Sequence, residues 1–443
     1  MDTPVLDFLR RYDTAGVTRF HMPGHKGKGP LGCEGWDITE VQGADALYEA
    51  DGILAQSEAN AAALFGSRRT LYSTEGSSHC IRAMLYLALT NRPAGAAPVI
   101  VAARNVHKTF VYAAALLDLD VVWLWPEEST SLCGCPVSAK QLEQTLAGLE
   151  APPVAVYLTS PDYLGGMADI GALSRVCHRY GTLLLVDNAH GAYLKFLHPS
   201  LHPLDLGADL CCDSAHKTLP ALTGAAYLHI AESLPAAFAE YAKAALALFG
   251  STSPSYLTLA SLDGCNAALA GEYPARLRDM AARVDALKAA LTEKGWEVLS
   301  GDPLRLTLRA PAGMTGKGLA QQLRSDGMEC EYADDALLVL MLSADNTAAE
   351  VEKILQTLGE CPAPHAPRQT LPQARGAQVV SIREALFAPH EIIPAEEALG
   401  RICGTPMVSC PPAIPIVVSG ERIGEAALAL FDCYGVEQVD VLK

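Results

Sequence analysis

Between Thr70 and about Ile230, short apolar runs alternate with longer stretches whose hydrophobic residues recur at helical spacing. Pro98–Ala102, Asp120–Leu124, Val154–Thr159, Thr182–Val186 and Leu210–Cys212 read as strands. Ser78–Thr90, His107–Leu117, Ser138–Leu149 and Ile170–Tyr180 read as the intervening helices. Strand and helix in alternation build a mainly parallel sheet covered by helices, and ligands of such sheets sit beyond the carboxyl ends of the strands. The expected class is therefore α/β, doubly wound.

Beyond that region a helix is expected around Leu234–Leu248, then a long amphipathic helix over Tyr273–Lys294 that leads out of the large domain. Leu304–Arg309, Lys317–Ser325, Ala336–Leu342 and Ala348–Leu358 read strand, helix, strand, helix, the pattern of a small α+β domain. Pro362, Pro364, Pro367 and Pro372 disfavour regular structure across Cys361–Gln378, which reads as a linker to a short C-terminal unit. The expected division is an N-terminal segment 1–30, a large domain 31–280, a small domain 281–360, a linker 361–378 and a C-terminal domain 379–443.

Composition narrows the function. Half of the 443 residues are hydrophobic and 19% are charged, enough apolar surface for a sizeable core. A formal charge of -17 argues against nucleic acid or an anionic membrane as partner, since both need a concentrated basic face. No apolar run approaches a membrane span and Met1–Arg11 has no signal-peptide core, so a cytoplasmic protein is expected. The 13 cysteines are odd in number and lack zinc-ligand spacing, which points to reduced thiols, mostly in the core, and to no metal site.

Four stretches carry candidate chemistry. The apolar strand Leu183–Val186 ends in Asp187, with His190 three residues on. A carboxylate at a strand's carboxyl end could bind a metal, support a histidine or pair with a pyridinium nitrogen. The strand Leu210–Cys212 runs into Asp213-Ser214-Ala215-His216-Lys217. A lysine there suits Schiff-base formation, given burial or neighbouring cations that keep part of the amine neutral. Gly76, Ser77 and Ser78 open a helix and could present backbone N–H groups to a phosphate, although a merely Ser-capped helix has the same sequence. His107, at the start of the next helix, could lie over an aromatic cofactor ring or simply cap that helix. The order phosphate loop, stacking His, ring-nitrogen Asp and Schiff-base Lys points to pyridoxal 5'-phosphate (PLP).

With these motifs the chain resembles the Orn/Lys/Arg decarboxylases, the group III PLP decarboxylases of bacteria, in their short form. The resemblance is carried by Phe20–Gly27, Asp37–Glu40, Arg104–Lys108, Thr159–Tyr163, Asp187–Gly191, Ser214–Pro220 and Ser251–Tyr256. It implies an aspartate-aminotransferase-like fold, with a mainly parallel, seven-stranded-type sheet sandwiched by helices in the PLP-binding domain. It also implies Lys217 as the imine, Asp187 on the pyridine nitrogen, His107 stacked on the ring and His190 beside them. Gly76, Ser77, Ser78, Ser214 and His216 would hold the phosphate. The resemblance further implies a homodimer or higher homo-oligomer with shared active sites, in which Ser251 and Thr252 reach the partner's cofactor and His21–Lys26 helps build the site. The expected reaction is decarboxylation of a basic L-amino acid, arginine first, then lysine or ornithine, within polyamine-related metabolism.

Three departures bear on the substrate. Asn188 stands where the family has Glu, Thr405 where it has an acid and Cys410 where it has Tyr. A buried substrate cation needs a compensating carboxylate, which Glu329, Glu331, Asp334 or Asp335 could supply. An aminotransferase or lyase of the same fold stays open, with Arg305 or Arg309 as a carboxylate clamp, as does a non-catalytic PLP-binding homologue in a heteromer.

Overall fold

The computed structural model describes residues 1–93, 96–299, 301–368, 370–406 and 413–443. Cys410, Pro411 and Pro412 lie outside the described residues. Seven strands form the main sheet: β1 (Arg69–Ser73), β2 (Val99–Ala103), β3 (Asp120–Leu124), β4 (Ala155–Thr159), β5 (Leu183–Asp187), β6 (Leu210–Asp213) and β7 (Ala226–Ile230), in the order β1-β7-β6-β5-β4-β2-β3. Strands β5 and β6 pair in parallel, as do β4 with β2 and β2 with β3. Strand β7 runs antiparallel to both of its neighbours. A parallel return from β6 would need a full crossover helix, whereas the connection to β7 holds only the one-turn helix Ala215–Thr218. Residues of β5, β6 and β7 are buried almost throughout, as expected of strands covered on both faces.

The chain divides into two compact units, Met1–Pro93 with Leu183–Arg278 and Ala94–Thr182 with Asp279–Lys443. In the first unit, Asp263 accepts the backbone N–H groups of Val5 and Leu6 at 2.9 and 3.0 Å and so holds the start of the helix Pro4–Thr14. The helix expected at Leu234–Leu248 is two helices, Ala236–Glu240 and Ala242–Phe249, and it starts after Pro235, whose missing N–H suits a helix start. The phosphate-loop helix begins at Gly76, two residues before the expected Ser78, with Glu75 at its N-cap.

In the second unit, β8 (Arg305–Arg309), β9 (Tyr332–Ala333) and β10 (Leu337–Met341) form an antiparallel sheet in the order β8-β10-β9. The helix Ala348–Leu358 follows, opened by a capping box between Thr347 and Glu350. Strands β11 (His390–Pro394) and β12 (Gln438–Leu442) pair antiparallel beside the helix Glu425–Cys433. A core of Cys403, Ile416, Ile423, Leu430, Phe431 and Val441 fixes that C-terminal portion. No described helix is long and apolar enough to cross a membrane.

Candidate active site

In the first unit the carboxyl ends of β5 and β6 lie side by side, because Asp187 is the register partner of Cys212. Asp187 is 3% exposed, and its Oδ1 accepts the Ala189 N–H at 3.2 Å and the Cys212 thiol at 3.7 Å. The chain then turns, with Gly191 N–H donating to the Asn188 carbonyl at 2.8 Å. The turn carries His190, whose Nε2 lies 3.0 Å from Lys217 Nζ. An ammonium can donate across that gap only to an Nε2 that bears its lone pair, which fixes the tautomer of His190 in that state. Lys217 is solvent-exposed. His190 is a neighbour in contact with its amine.

The loop after β1 faces the same connection. Gly76 has φ +72°, a left-handed conformation that favours glycine, and its N–H donates to the Gly224 carbonyl at 2.8 Å. The Gly76 amide is thus engaged in the turn. Ser77 Oγ receives the Ser214 hydroxyl at 2.9 Å, joining the helix that starts at Gly76 to the residue that precedes the Lys217 turn. His216 Nδ1 donates to the Ala225 carbonyl at 3.0 Å, and burial lowers the imidazole's pKa. Its Nε2 bears a proton only in the imidazolium form, which an adjacent anion favours. Glu75 accepts the Ser251 N–H at 2.6 Å, which brings the exposed Ser251 and Thr252 loop next to the same helix start.

In the second unit, His107 is the N-cap of the helix Lys108–Leu117. Its Nδ1 accepts the Thr109 N–H at 3.2 Å, so the capping alternative is realised and the ring orientation is set by the helix end. Arg104 is 6% exposed and pairs with Glu421 at 3.2 Å. The four acids weighed as substrate partners have local partners: Glu329 pairs with Arg324, Glu331 accepts Tyr163, Asp334 accepts Tyr332 and Asp335 pairs with Lys317. Arg305, 2% exposed, donates to the carbonyls of Asp162 and Tyr163 at 2.8 and 2.9 Å, and Arg309 pairs with Glu297 at 2.7 Å. Both arginines considered as transaminase-type clamps thereby have partners within the second unit.

Sequence reasoning passed over Asp213, fully buried behind β6 with His202 and His229 donating to its Oδ2 at 3.0 and 3.1 Å. Asp213 shares a sheet face with His229, the register partner of Cys211 two residues before it, and a polar residue in each of two otherwise apolar strands was the available signal. His202, Cys211 and Asp213 are also close enough to hold a metal ion, but the imidazoles and the thiol already serve as donors to the carboxylate.

The donor set of the first unit fits PLP: a primary amine, a buried carboxylate, paired serine hydroxyls and a helix that starts on a left-handed glycine. A mainly parallel sheet with this set at its strand ends defines a fold type I PLP enzyme. The family model described as "Orn/Lys/Arg decarboxylase, major domain" matches residues 3–296, and the chain belongs to that family of PLP-dependent amino-acid decarboxylases. An uncharacterized protein YaaO of Bacillus subtilis is 30% identical over 96% of this chain and 92% of its own length. An arginine decarboxylase of the same organism is 28% identical over the same shares. The structure of a Francisella novicida lysine decarboxylase superposes with TM-score 0.83 at 16% identity, covering 100% of this chain and 81% of that one.

Proposed function

We propose that the protein decarboxylates L-arginine to the corresponding amine and CO2, with lysine and ornithine as weaker substrates. The match to a curated arginine decarboxylase over 96% of the chain carries the substrate choice. Lys217 is the residue that holds PLP, Asp187 keeps the pyridine nitrogen protonated and His107 stacks on the ring. Ser77, Ser78, Ser214 and His216 hold the phosphate, with Gly76 shaping the turn in front of them.

Bound PLP supplies an electron-accepting ring for the pair left behind when the carboxylate departs as CO2. The chain's own part is electrostatic and positional. A buried anion at Asp187 favours a cationic ring nitrogen beside it, and the Ala189 N–H keeps that carboxylate oriented. The proton that replaces CO2 at Cα is held between Lys217 Nζ and His190 Nε2, 3.0 Å apart. The exposed Phe20 and Met22 of the N-terminal segment support a homodimer in which that segment and the Ser251–Thr252 loop complete the partner's site. The proposed division is an N-terminal segment 1–30, a large domain 31–280, a small domain 281–360, a linker 361–378 and a C-terminal domain 379–443, and the proposed location is cytoplasmic.

Purified protein supplied with PLP and a panel of L-amino acids tests the proposal. Stoichiometric CO2 and the amine of arginine, at a kcat/KM above that for lysine and ornithine, is the expected result. Keto-acid-dependent turnover, racemised substrate or no turnover of any basic amino acid would overturn it.

A further inference from the structure

The side of the sheet opposite Asp187 holds a second carboxylate with a full set of donors. Asp213 lies two residues after Cys211 on β6 and is fully buried. His202 Nε2 and His229 Nε2 reach its Oδ2, while Asn188 Nδ2 at 2.7 Å and the Cys211 thiol at 3.5 Å reach its Oδ1. His229 is backed by Thr70 Oγ1 at 2.8 Å on its other ring nitrogen. Asn188 is the residue after Asp187, and its N–H extends the ladder to the Cys212 carbonyl at 3.0 Å. Successive side chains along a strand point to opposite faces, so Asp187 projects to the Cys212 side and Asn188 to the Asp213 side. Asn188 also supplies the carbonyl that closes the turn carrying His190.

We propose that Asp213 and Asn188 form a positioning pair, in which the amide of Asn188, clamped by the Asp213 carboxylate, fixes the backbone that aims Asp187 and His190. This deepens the reading of Asp187 and Lys217 as cofactor contacts and rests on it. It also gives the departure at Asn188 a physical cause. With an acid at 213, a second acid at 188 would set two carboxylates against each other in a buried site, where only one could ionise. An amide at 188 supplies the donor that Asp213 requires. The charge of the cluster is then a single carboxylate, held below the usual carboxylate range by His202 and His229 against the cost of burial, while burial keeps His229 low. Other titratable groups near the cluster are Cys211, Cys212, Cys80, Tyr227 and Asp187, with Lys195 acting on His229.

The sign for pH follows from the pair. In the parent, the stability contributed by Asp213 is present above the ordinary carboxylate range and is lost only as pH falls through its depressed value. In Asn188→Asp one carboxyl of the pair must hold a proton, so its folded pKa is raised. The resulting destabilisation is full at neutral pH and is relieved as pH falls. Asn188→Ala removes the donor without adding a titrating group, so its deficit has little pH dependence.

The test uses full-length protein, thermal unfolding without added PLP between pH 5.5 and 8, and the visible absorbance of the loaded enzyme across the same range. The melting deficit of Asn188→Asp at pH 8 should be at least about twice that at pH 5.5, while that of Asn188→Ala stays flat. In Asn188→Ala, the pH midpoint of the visible band should move by roughly half a unit or more, with kcat falling and KM little changed. Equal deficits of Asn188→Asp at both pH values, or a visible band with an unmoved midpoint in Asn188→Ala, would overturn the pair. So would one equivalent of metal in the purified parent that is lost in Cys211→Ser, since the cluster would then be a metal site. Loss of the Lys217 assignment would remove the absorbance readout but leave the unfolding comparison intact, so the two failures are distinguishable.

Discussion

Replacing Arg104 by Met should cost more than any exposed substitution in the protein, although Arg104 sits in a stretch that reads like cofactor chemistry. The guanidinium is 6% exposed and faces Glu421, 2% exposed, at 3.2 Å. It also donates to the carbonyls of Pro415 and Ile416 at 3.1 and 3.0 Å and lies 5.0 and 5.1 Å from the ring centres of Trp123 and Trp125. Without it, Glu421 keeps the Val418 N–H at 2.9 Å but has no opposite charge in contact. Breaking a buried pair from one side typically costs about 3–5 kcal/mol, because a charge is left uncompensated. Arg104→Lys keeps the charge but cannot span two carbonyls and a carboxylate at once, and should cost roughly 1–3 kcal/mol. Burial already raises the Glu421 carboxyl, with Arg104 as the main opposing influence. In Arg104→Met the folded-state value rises further, so protonation relieves the loss and the deficit narrows as pH falls. Equilibrium urea unfolding followed by tryptophan fluorescence at pH 8 and 6 measures both quantities. An Arg104→Met protein within about 1 kcal/mol of the parent at pH 8, or a deficit that widens at pH 6, would refute the reasoning.

Gly224→Ala places a Cβ 2.6 Å from the Thr74 carbonyl at a residue with φ +92°, so it should cost roughly 1–3 kcal/mol and hasten loss of PLP on dialysis, followed by visible absorbance. Lys243→Met removes the ammonium 2.6 Å from the buried Glu58, and thermal unfolding should show a loss of about 3–5 kcal/mol that shrinks at lower pH, because burial raises the Glu58 carboxyl. His107→Asn keeps a capping side chain at the helix Lys108–Leu117 but loses the aromatic face. It should unfold within about 0.5 kcal/mol of the parent while kcat drops at least about tenfold, and an unchanged kcat would reduce His107 to a cap.

The strands β2 to β6 are legible in the sequence because they are short, apolar and bounded by helical spacing, and the carboxyl ends of β5 and β6 point to Asp187 and the Lys217 loop. Strand β7 was harder, since its antiparallel pairing follows from the length of the 214–225 connection rather than from its own residues. The start of the helix Gly76–Thr90 was misplaced because Ser77 and Ser78 resemble caps, whereas the left-handed Gly76 begins the turn. Contacts between distant positions were not legible: Arg104 meets Glu421 across 317 residues, and His202, Asn188 and His229 converge on Asp213 only when β5, β6 and β7 are assembled. A polar residue within an apolar strand announces that it has a partner, but the partner's identity is a tertiary fact.

The most direct test of the account is where the cofactor attaches. Holoenzyme reduced with borohydride, digested and mapped by mass spectrometry should carry the phosphopyridoxyl group on Lys217 alone, and Lys217→Ala should carry none and show no visible band. A label on any other lysine, or a visible band that survives in Lys217→Ala, would contradict it.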